Sequence, residues 1–267
     1  MASVAKAQRH DGVERFQMAH AVAGKPVYWV SVYRVGDVLV DSGCAWARPH
    51  LQKYLSENPV HTVLTTHEHE DHVGNHAVLR DMEVFAPRRA IEILDAGAPR
   101  LPLYRWLAWG SHGVAHGVKP LGEAVTANGR RFRVMHTPGH SADHVVFIDD
   151  DASAVFTGDA YMGKLRAVRA KEDVPLQMES VRRIAELDLA VLYPAHGPVL
   201  ERPRAKLIET ADHFDALREK ALRLAQKGRS PRRIRQDLLG SEPWLTWYSL
   251  GAFSAENLVR SLLGTPS

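Results

Sequence analysis

The sequence predicts a mixed-sheet α/β protein with its helices on the outside. Three observations carry that reading. Strand-like segments outnumber helical ones, they occur in both hairpin and crossover settings, and helical stretches alternate with them beyond residue 48. Residues 27–35 are rich in β-branched and aromatic side chains, Gly36-Asp37 follows, and Val38-Leu39-Val40 reads as the return strand of a hairpin. That strand ends in Asp41-Ser42-Gly43, a loop signal. Residues 48–58 read as a helix and 60–66 as a strand running into a histidine-rich stretch. A helix begins within 75–80, and 82–86 is again a strand. Strands follow at 132–135, 145–148 and 154–156, a helix at 174–187 and a strand at 190–193.

Two regions depart from this alternation. Residues 97–122 are rich in Pro, Gly and aromatics (Tyr104, Trp106, Trp109) and read as a long insertion, a setting in which loops often carry function. Residues 204–226 form a long amphipathic pattern that ends at Gly228. Ser230-Pro231 then supplies the cap and first residue of another helix. The expected division is a main domain over 1–200 and a helical subdomain over 201–267.

Composition narrows the function classes. The chain has 267 residues, 45% of them hydrophobic and 24% charged, values of a globular protein with a sizeable core rather than a disordered or fibrous one. A single cysteine, Cys44, excludes an internal disulfide. The net charge of +3 is too small to argue for nucleic acid by itself, although 12 basic residues against 8 acidic ones fall from Glu201 onward. Residues 1–24 hold scattered charges and no apolar run, and no stretch approaches a membrane span, so a soluble cytoplasmic protein is expected.

The strongest chemical signal is His67-Glu68-His69-Glu70-Asp71-His72, which follows a predicted strand. Three imidazoles and a carboxylate within six residues are nitrogen and oxygen ligands of the kind that suit zinc and similar divalent ions. His67 and His69 alternate toward one ion while Asp71 and His72 turn to a second. Three further turns, Thr137-Pro138-Gly139-His140, Thr157-Gly158-Asp159 and Pro194-Ala195-His196-Gly197, each place one ligand-type residue after a predicted strand. Singly they are weak; in this order they are specific.

With these motifs the chain, from Asp41 to Gly197, resembles the metallo-β-lactamase-fold superfamily of hydrolases. The resemblance implies an αββα sandwich with a C-terminal helical, winged-helix-like extension. It implies two divalent ions at one edge, zinc first, with iron or manganese as alternatives. His67, His69 and His140 would hold one ion, Asp71, His72 and His196 the other, and Asp159 would bridge them. A hydroxide between the ions would be the nucleophile. Asp71 is also a candidate to orient it or to carry a proton to the leaving group. Asp159, where true β-lactamases of this fold carry Cys or Ser at or near the position, argues against antibiotic hydrolysis. His69, where flavin-linked diiron relatives carry Glu, argues against that branch.

The run from Thr137 through His144 resembles glyoxalase II and, more closely, the group of β-lactamase-like protein 2. Tyr161, two residues after Asp159, is a candidate oxyanion donor by similarity to lactone-cleaving members; the alternative is a Tyr packed at a turn. His144 reads as a buried structural histidine, or as one that orients a ligand. His61 and His76 read as structural or surface residues, and His112 and His116, in the aromatic insertion, as surface loop histidines or, alternatively, as lining of a substrate channel. Tyr104, Trp106 and Trp109 are candidates for an apolar substrate wall. Trp244, Trp247 and Tyr248 fit one helix face, which favours ordinary packing; the alternative is that they cap the same site. The expected activity is hydrolysis of an ester, thioester or lactone of a small molecule. The alternatives are cleavage of single-stranded RNA through the basic tail (Arg229, Arg232, Arg233, Arg235) and a persulfide dioxygenase with a single iron. The oligomeric state is not legible.

Overall fold

A computed structural model describes residues 2–97 and 101–265. Among them, the first sheet contains β1 (Ser3–His10), β2 (Val13–Val22), β3 (Lys25–Pro26), β4 (Val30–Val35), β5 (Val38–Val40), β6 (Thr62–Leu64), β7 (Glu83–Ala86) and β8 (Lys119–Pro120). Its order is β1-β2-β4-β5-β6-β7-β8, with β3 paired to β2. The strands from β1 to β5 are joined as antiparallel neighbours, whereas β5 to β8 run parallel. The second sheet contains β9 (Ala124–Ala127), β10 (Arg130–His136), β11 (Val145–Asp149), β12 (Ala154–Gly158) and, beyond the detached β13 (Val168–Arg169), β14 (Val191–Pro194) and β15 (Leu200–Glu201).

The helices are α1 (Arg48–Glu57), α2 (Glu70–Val73), α3 (Arg88–Ala96), α4 (Leu103–Trp109), α5 (Val174–Ala185), α6 (Arg204–Gln226), α7 (Pro231–Leu239), α8 (Trp244–Tyr248) and α9 (Ala255–Leu262). Three start on side-chain caps: Asp173 accepts from Leu176 N–H, Ser230 from Arg233 N–H and Ser254 from Asn257 N–H. Each cap satisfies a backbone donor that the first helical turn leaves without a partner.

Three apolar layers show how the sheets and helices stack. Between the sheets, Tyr33, Val35, Val40 and Leu64 of the first meet Phe132, Phe147, Phe156 and Tyr193 of the second. The opposite face of the first sheet (Val32, Leu39, Val63) buries Leu51, Tyr54 and Leu55 of α1. The opposite face of the second (Val146, Val155, Leu192) buries Val181 and Ile184 of α5, Phe214 of α6 and Leu258 of α9. Helices therefore cover both outer faces of two packed sheets, the αββα arrangement the resemblance implied. Strands buried on both faces explain the continuous apolar runs at β5, β11 and β12.

The N-terminal hairpin is an element the sequence reading left out. β1 and β2 pair from Ser3↔His20 to His10↔Val13 around Asp11-Gly12, a turn pair that signals a hairpin. The expected insertion at 97–122 forms α4 and β8 within its described part; positions 98–100 lie outside the described residues. The C-terminal segment is helical as expected, although 266–267 lie outside the described residues. Its strand β16 (Phe253–Ser254) pairs antiparallel with β13 of the main body. No helix among the described residues is long and apolar enough to cross a membrane.

Candidate metal centre

The site forms where strand ends of both sheets meet. Asp41, just past β5, adopts φ 61° and turns its carboxylate toward the loop after β6. That carboxylate accepts from Thr66 N–H at 2.8 Å and from the Thr66 hydroxyl at 2.9 Å, and it holds His72 Nδ1 at 2.7 Å. This fixes the loop 65–72 and aims His72 Nε2 away from Asp41. On the second sheet, Gly158 ends β12 with φ 46°, and a Cβ there would lie 2.7 Å from the Thr66 hydroxyl. Glycine thus lets the Asp159 turn approach the histidine loop.

Two ligand sets converge. His67, His69, His140 and Asp159 offer ligand atoms that all lie within 4.8 Å of one another, and so do Asp71, His72, Asp159 and His196. Asp159 belongs to both. Its Oδ2 lies 3.2 Å from His140 Nε2, while its Oδ1 lies 3.3 Å from His72 Nε2 and 3.4 Å from His196 Nε2. In the first set His67 Nε2 and His140 Nε2 approach His69 Nδ1 at 2.7 and 2.9 Å. In the second, Asp71 Oδ2 is 3.2 Å from His196 Nε2.

The electrostatics fit divalent cations. His72 Nε2 and Asp159 Oδ1 are buried without a hydrogen-bond partner, a costly arrangement unless a cation lies between the groups. Burial, reinforced by neighbouring cationic groups, pushes the His67 and His69 imidazoles well below their ordinary range, which leaves them neutral as ligands must be. Burial opposes charge on Asp159 too, but His196, His72 and His140 outweigh it and hold the carboxyl well below its usual range. For His72, burial is outweighed by Asp159, Asp41 and Asp71, which raise its affinity for a proton and would equally attract a metal. One group competes. Arg169 Nη2 lies 2.9 and 2.8 Å from His69 Nδ1 and Nε2 and 3.2 Å from His140 Nε2, so its guanidinium stands where a cation on the first set would compete with it for the ring nitrogens.

Partners behind the ligands orient them. His196 Nδ1 bonds to the carbonyl of Trp29 at 2.7 Å, and Glu172 lies 3.3 Å from His140 Nδ1. His144 Nε2 accepts from Asp159 N–H at 3.1 Å and its Nδ1 pairs with Thr137 Oγ1 at 3.0 Å. The buried histidine of the sequence reading is therefore also the one that orients a ligand. His76 is structural: it lies between Ser42 and Thr65 at 2.7 Å each, and burial pushes its imidazole down to about 3.

The seven residues expected to ligate lie together in these two sets; other expectations change. Tyr161 is buried in the apolar layer formed by the second sheet, α5, α6 and α9, and it is not among the residues lining the cavity. Its ring is packed there, as in the turn-packing alternative. Trp244 and Trp247 are not core: they are 65% and 79% exposed. Trp244, Leu245 and Tyr248 instead line the cavity over the ligands, with Tyr104 and Trp109 from α4. Trp106 turns away and stacks edge-on against Trp46. Tyr28, which no motif flagged, lies with its ring 4.7 Å from that of His196 and 5.5 Å from that of Trp109.

The C-terminal segment completes the site. Through β13 and β16 it pairs with the strand that carries Arg169, and Ser261 Oγ both accepts from Val174 N–H and donates to the Glu172 carbonyl. Arg169 Nε donates to Glu172 Oε1 at 3.0 Å. Arg105, also beside the site, pairs with Glu70. Arg169, Glu172, Arg105 and Tyr28 belong to no spacing pattern; only tertiary contact brings them in.

Comparison with known proteins agrees with this geometry. The chain is similar to a beta-lactamase-like protein 2 homolog of Caenorhabditis elegans, 30% identical over 66% of this chain and 57% of that one. It is similar to an atrochrysone carboxyl ACP thioesterase of Aspergillus fumigatus, 30% identical over 66% of this chain and 51% of that one. It thus spans little more than half the length of these relatives. Among solved structures, a metallo-beta-lactamase family protein from Thermus thermophilus matches with a TM-score of 0.70 at 22% identity, covering 96% of this chain and 94% of that one. A beta-lactamase domain protein from Burkholderia ambifaria matches with a TM-score of 0.73 at 20% identity, over 96% and 88%. Residues 27–196 match the family model of the metallo-beta-lactamase superfamily, and the chain belongs to that family.

Proposed function

We propose that the protein is a metal-dependent hydrolase that cleaves a thioester of an apolar acyl group, with two divalent ions, zinc first, held by His67, His69, His140 and by Asp71, His72, His196, and with Asp159 between them. The observation that carries the reading is Asp159, whose two oxygens face the two histidine groups separately. Ions bound there would supply a water acidic enough to act as nucleophile near neutral pH and a Lewis acid for the carbonyl oxygen. The chain's own residues do the rest. Asp71, at 3.2 Å from His196, is the carboxylate placed to hold a proton for the leaving sulfur. Tyr28, Trp109, Trp244 and Phe253 wall the cavity, exclude water and favour an apolar acyl group.

The thioesterase names among the relatives support thioesters over other esters and lactones. The C-terminal segment lines the cavity with Trp244, Leu245 and Tyr248, which favours a small apolar acyl group over RNA. The second ligand set, complete beside the first, favours two ions over the single iron of a dioxygenase. The test is metal content of protein purified without added metal, followed by assay of acyl thioesters. About two zinc ions per chain with thioester cleavage supports the proposal. One iron per chain with oxygen uptake on a persulfide would replace it.

A further inference from the structure

The ligand cluster opens onto two cavities, the second lined by more polar surface than the first. They share the edge formed by His69 and His140, with Tyr104, Arg105 and Arg169 between them. The first is walled by Tyr28, Trp109, Met162, Leu165, Trp244 and Phe253. The second is lined by Glu68, Arg89, His112, Ser141 and Lys171, with both arginines of the divide. Its arginines are matched by carboxylates: Arg89 to Glu68 at 3.1 Å, Arg169 to Glu172 at 3.0 Å, and Arg105 to Glu70. Lys171 has no ionic partner within 4.0 Å among the described residues, so the lobe carries one uncompensated cation before any metal is bound.

A bond cleaved at the His69–His140 edge has one substrate half in each lobe. A polar or charged half buried among the rings of the first lobe would lose its hydration without replacement. The apolar acyl half therefore takes the first lobe and the leaving half the second. We propose that the second lobe binds the leaving thiol, a long polar arm bearing phosphate, of the coenzyme A type, with Lys171 as its unmatched anion contact and Arg89, although paired with Glu68, as an exposed second one. This rests on the thioesterase reading. In the reaction the C–S bond breaks and a C–O bond forms from water. One water proton goes to the sulfur and the other leaves with the carboxylic acid, so no redox partner is needed.

The test compares wild type, Lys171→Glu and the double variant Arg89→Ala/Lys171→Ala. Both positions are exposed, so the fold should persist. Octanoyl-coenzyme A and the uncharged octanoyl-N-acetylcysteamine thioester present the same acyl group with and without phosphate. Loss of charge-assisted phosphate contacts should lower kcat/KM for the coenzyme A ester about tenfold through KM, with the neutral thioester unchanged. Equal effects on both substrates, or none on either, would overturn the assignment. Binding of an S-ethyl coenzyme A thioether, followed by calorimetry, reads the lobe without turnover. Weaker binding in the variants with no thioester cleaved by any form would sink the thioesterase reading and keep the lobe; unchanged binding overturns the lobe itself.

Discussion

Asp41→Asn isolates the oriented hydrogen bond behind the metal ligands. The carboxylate accepts on both oxygens: Oδ1 from Thr66 N–H at 2.8 Å, Oδ2 from His72 Nδ1 at 2.7 Å. An amide keeps the shape but has only one accepting end. Asparagine also tolerates the φ of 61°, so backbone strain does not enter. If the amide oxygen stays on Thr66, the NH₂ faces His72 Nδ1–H. Either that donor stays unmatched, or the proton moves to Nε2 and blocks the atom meant for the metal. Loss of such a supporting group costs roughly 10–100-fold in metal affinity, about 1.4–2.8 kcal/mol. If the amide turns round, the NH₂ opposes Thr66 N–H, and a cost of about 1–3 kcal/mol moves into the stability of the metal-free protein. The assay is competition with a chromophoric chelator, paired with urea unfolding of the metal-free form. A variant that keeps both wild-type affinity and wild-type stability refutes the account.

Other perturbations test separate parts. In Gly139→Ala the new Cβ would lie 2.3 Å from Gln177 N at φ 133°, so overpacking of about 1–3 kcal/mol adds to backbone strain of similar size; urea unfolding should show the loss, and metal affinity should fall because His140 is next in sequence. Trp244→Ala removes a ring that is 65% exposed, so stability should barely move, while kcat/KM for octanoyl relative to acetyl thioesters should drop about tenfold as the acyl chain loses apolar cover. Glu14 is held below its ordinary value of 4.5 chiefly by the Tyr54 hydroxyl; burial opposes this, and Arg34 and Arg9 add to the lowering. A depressed carboxyl stabilises above its unfolded pKa and loses that contribution as pH falls through the folded one. Glu14→Gln should therefore be less stable than wild type at neutral pH, and the gap should close on acidification below 4.5 in thermal melts across pH.

The ligand set was legible in the sequence because its members sit in short turns at strand ends. There the spacing of His67, His69, Asp71 and His72 needs only one loop to bring them together. The β-strands of the two sheets were legible because apolar runs such as Val145–Asp149 are buried on both faces. The N-terminal hairpin was missed although Asp11-Gly12 marked its turn, because β1 is polar and half exposed and its alternation is weak. Tyr161 was left between two readings for a physical reason. Proximity to Asp159 in sequence does not fix direction, and the side chain after the turn points into the α5–α6 layer. Glu172, Arg169 and Arg105 could not be found because a charged residue looks the same in sequence whether it faces solvent or the ligand cluster.

The C-terminal segment shows how that third group is created. Its basic residues invited a nucleic-acid reading, yet its closest structural ties run inward. β16 pairs with β13, Asn257 Nδ2 donates to the Val168 carbonyl, and Ser261 clamps the backbone at Glu172 and Val174. Between those anchors lie Arg169, whose guanidinium reaches the first ligand set, and Glu172, 3.3 Å from His140 Nδ1. The same segment supplies Trp244 and Tyr248 to the apolar cavity. On the proposed reading, specificity and metal access would be set by a part of the chain outside the ligand motifs. Changes in the tail should alter which acyl groups enter, and how tightly the first ion is held, before they alter the ligand geometry that defines the family.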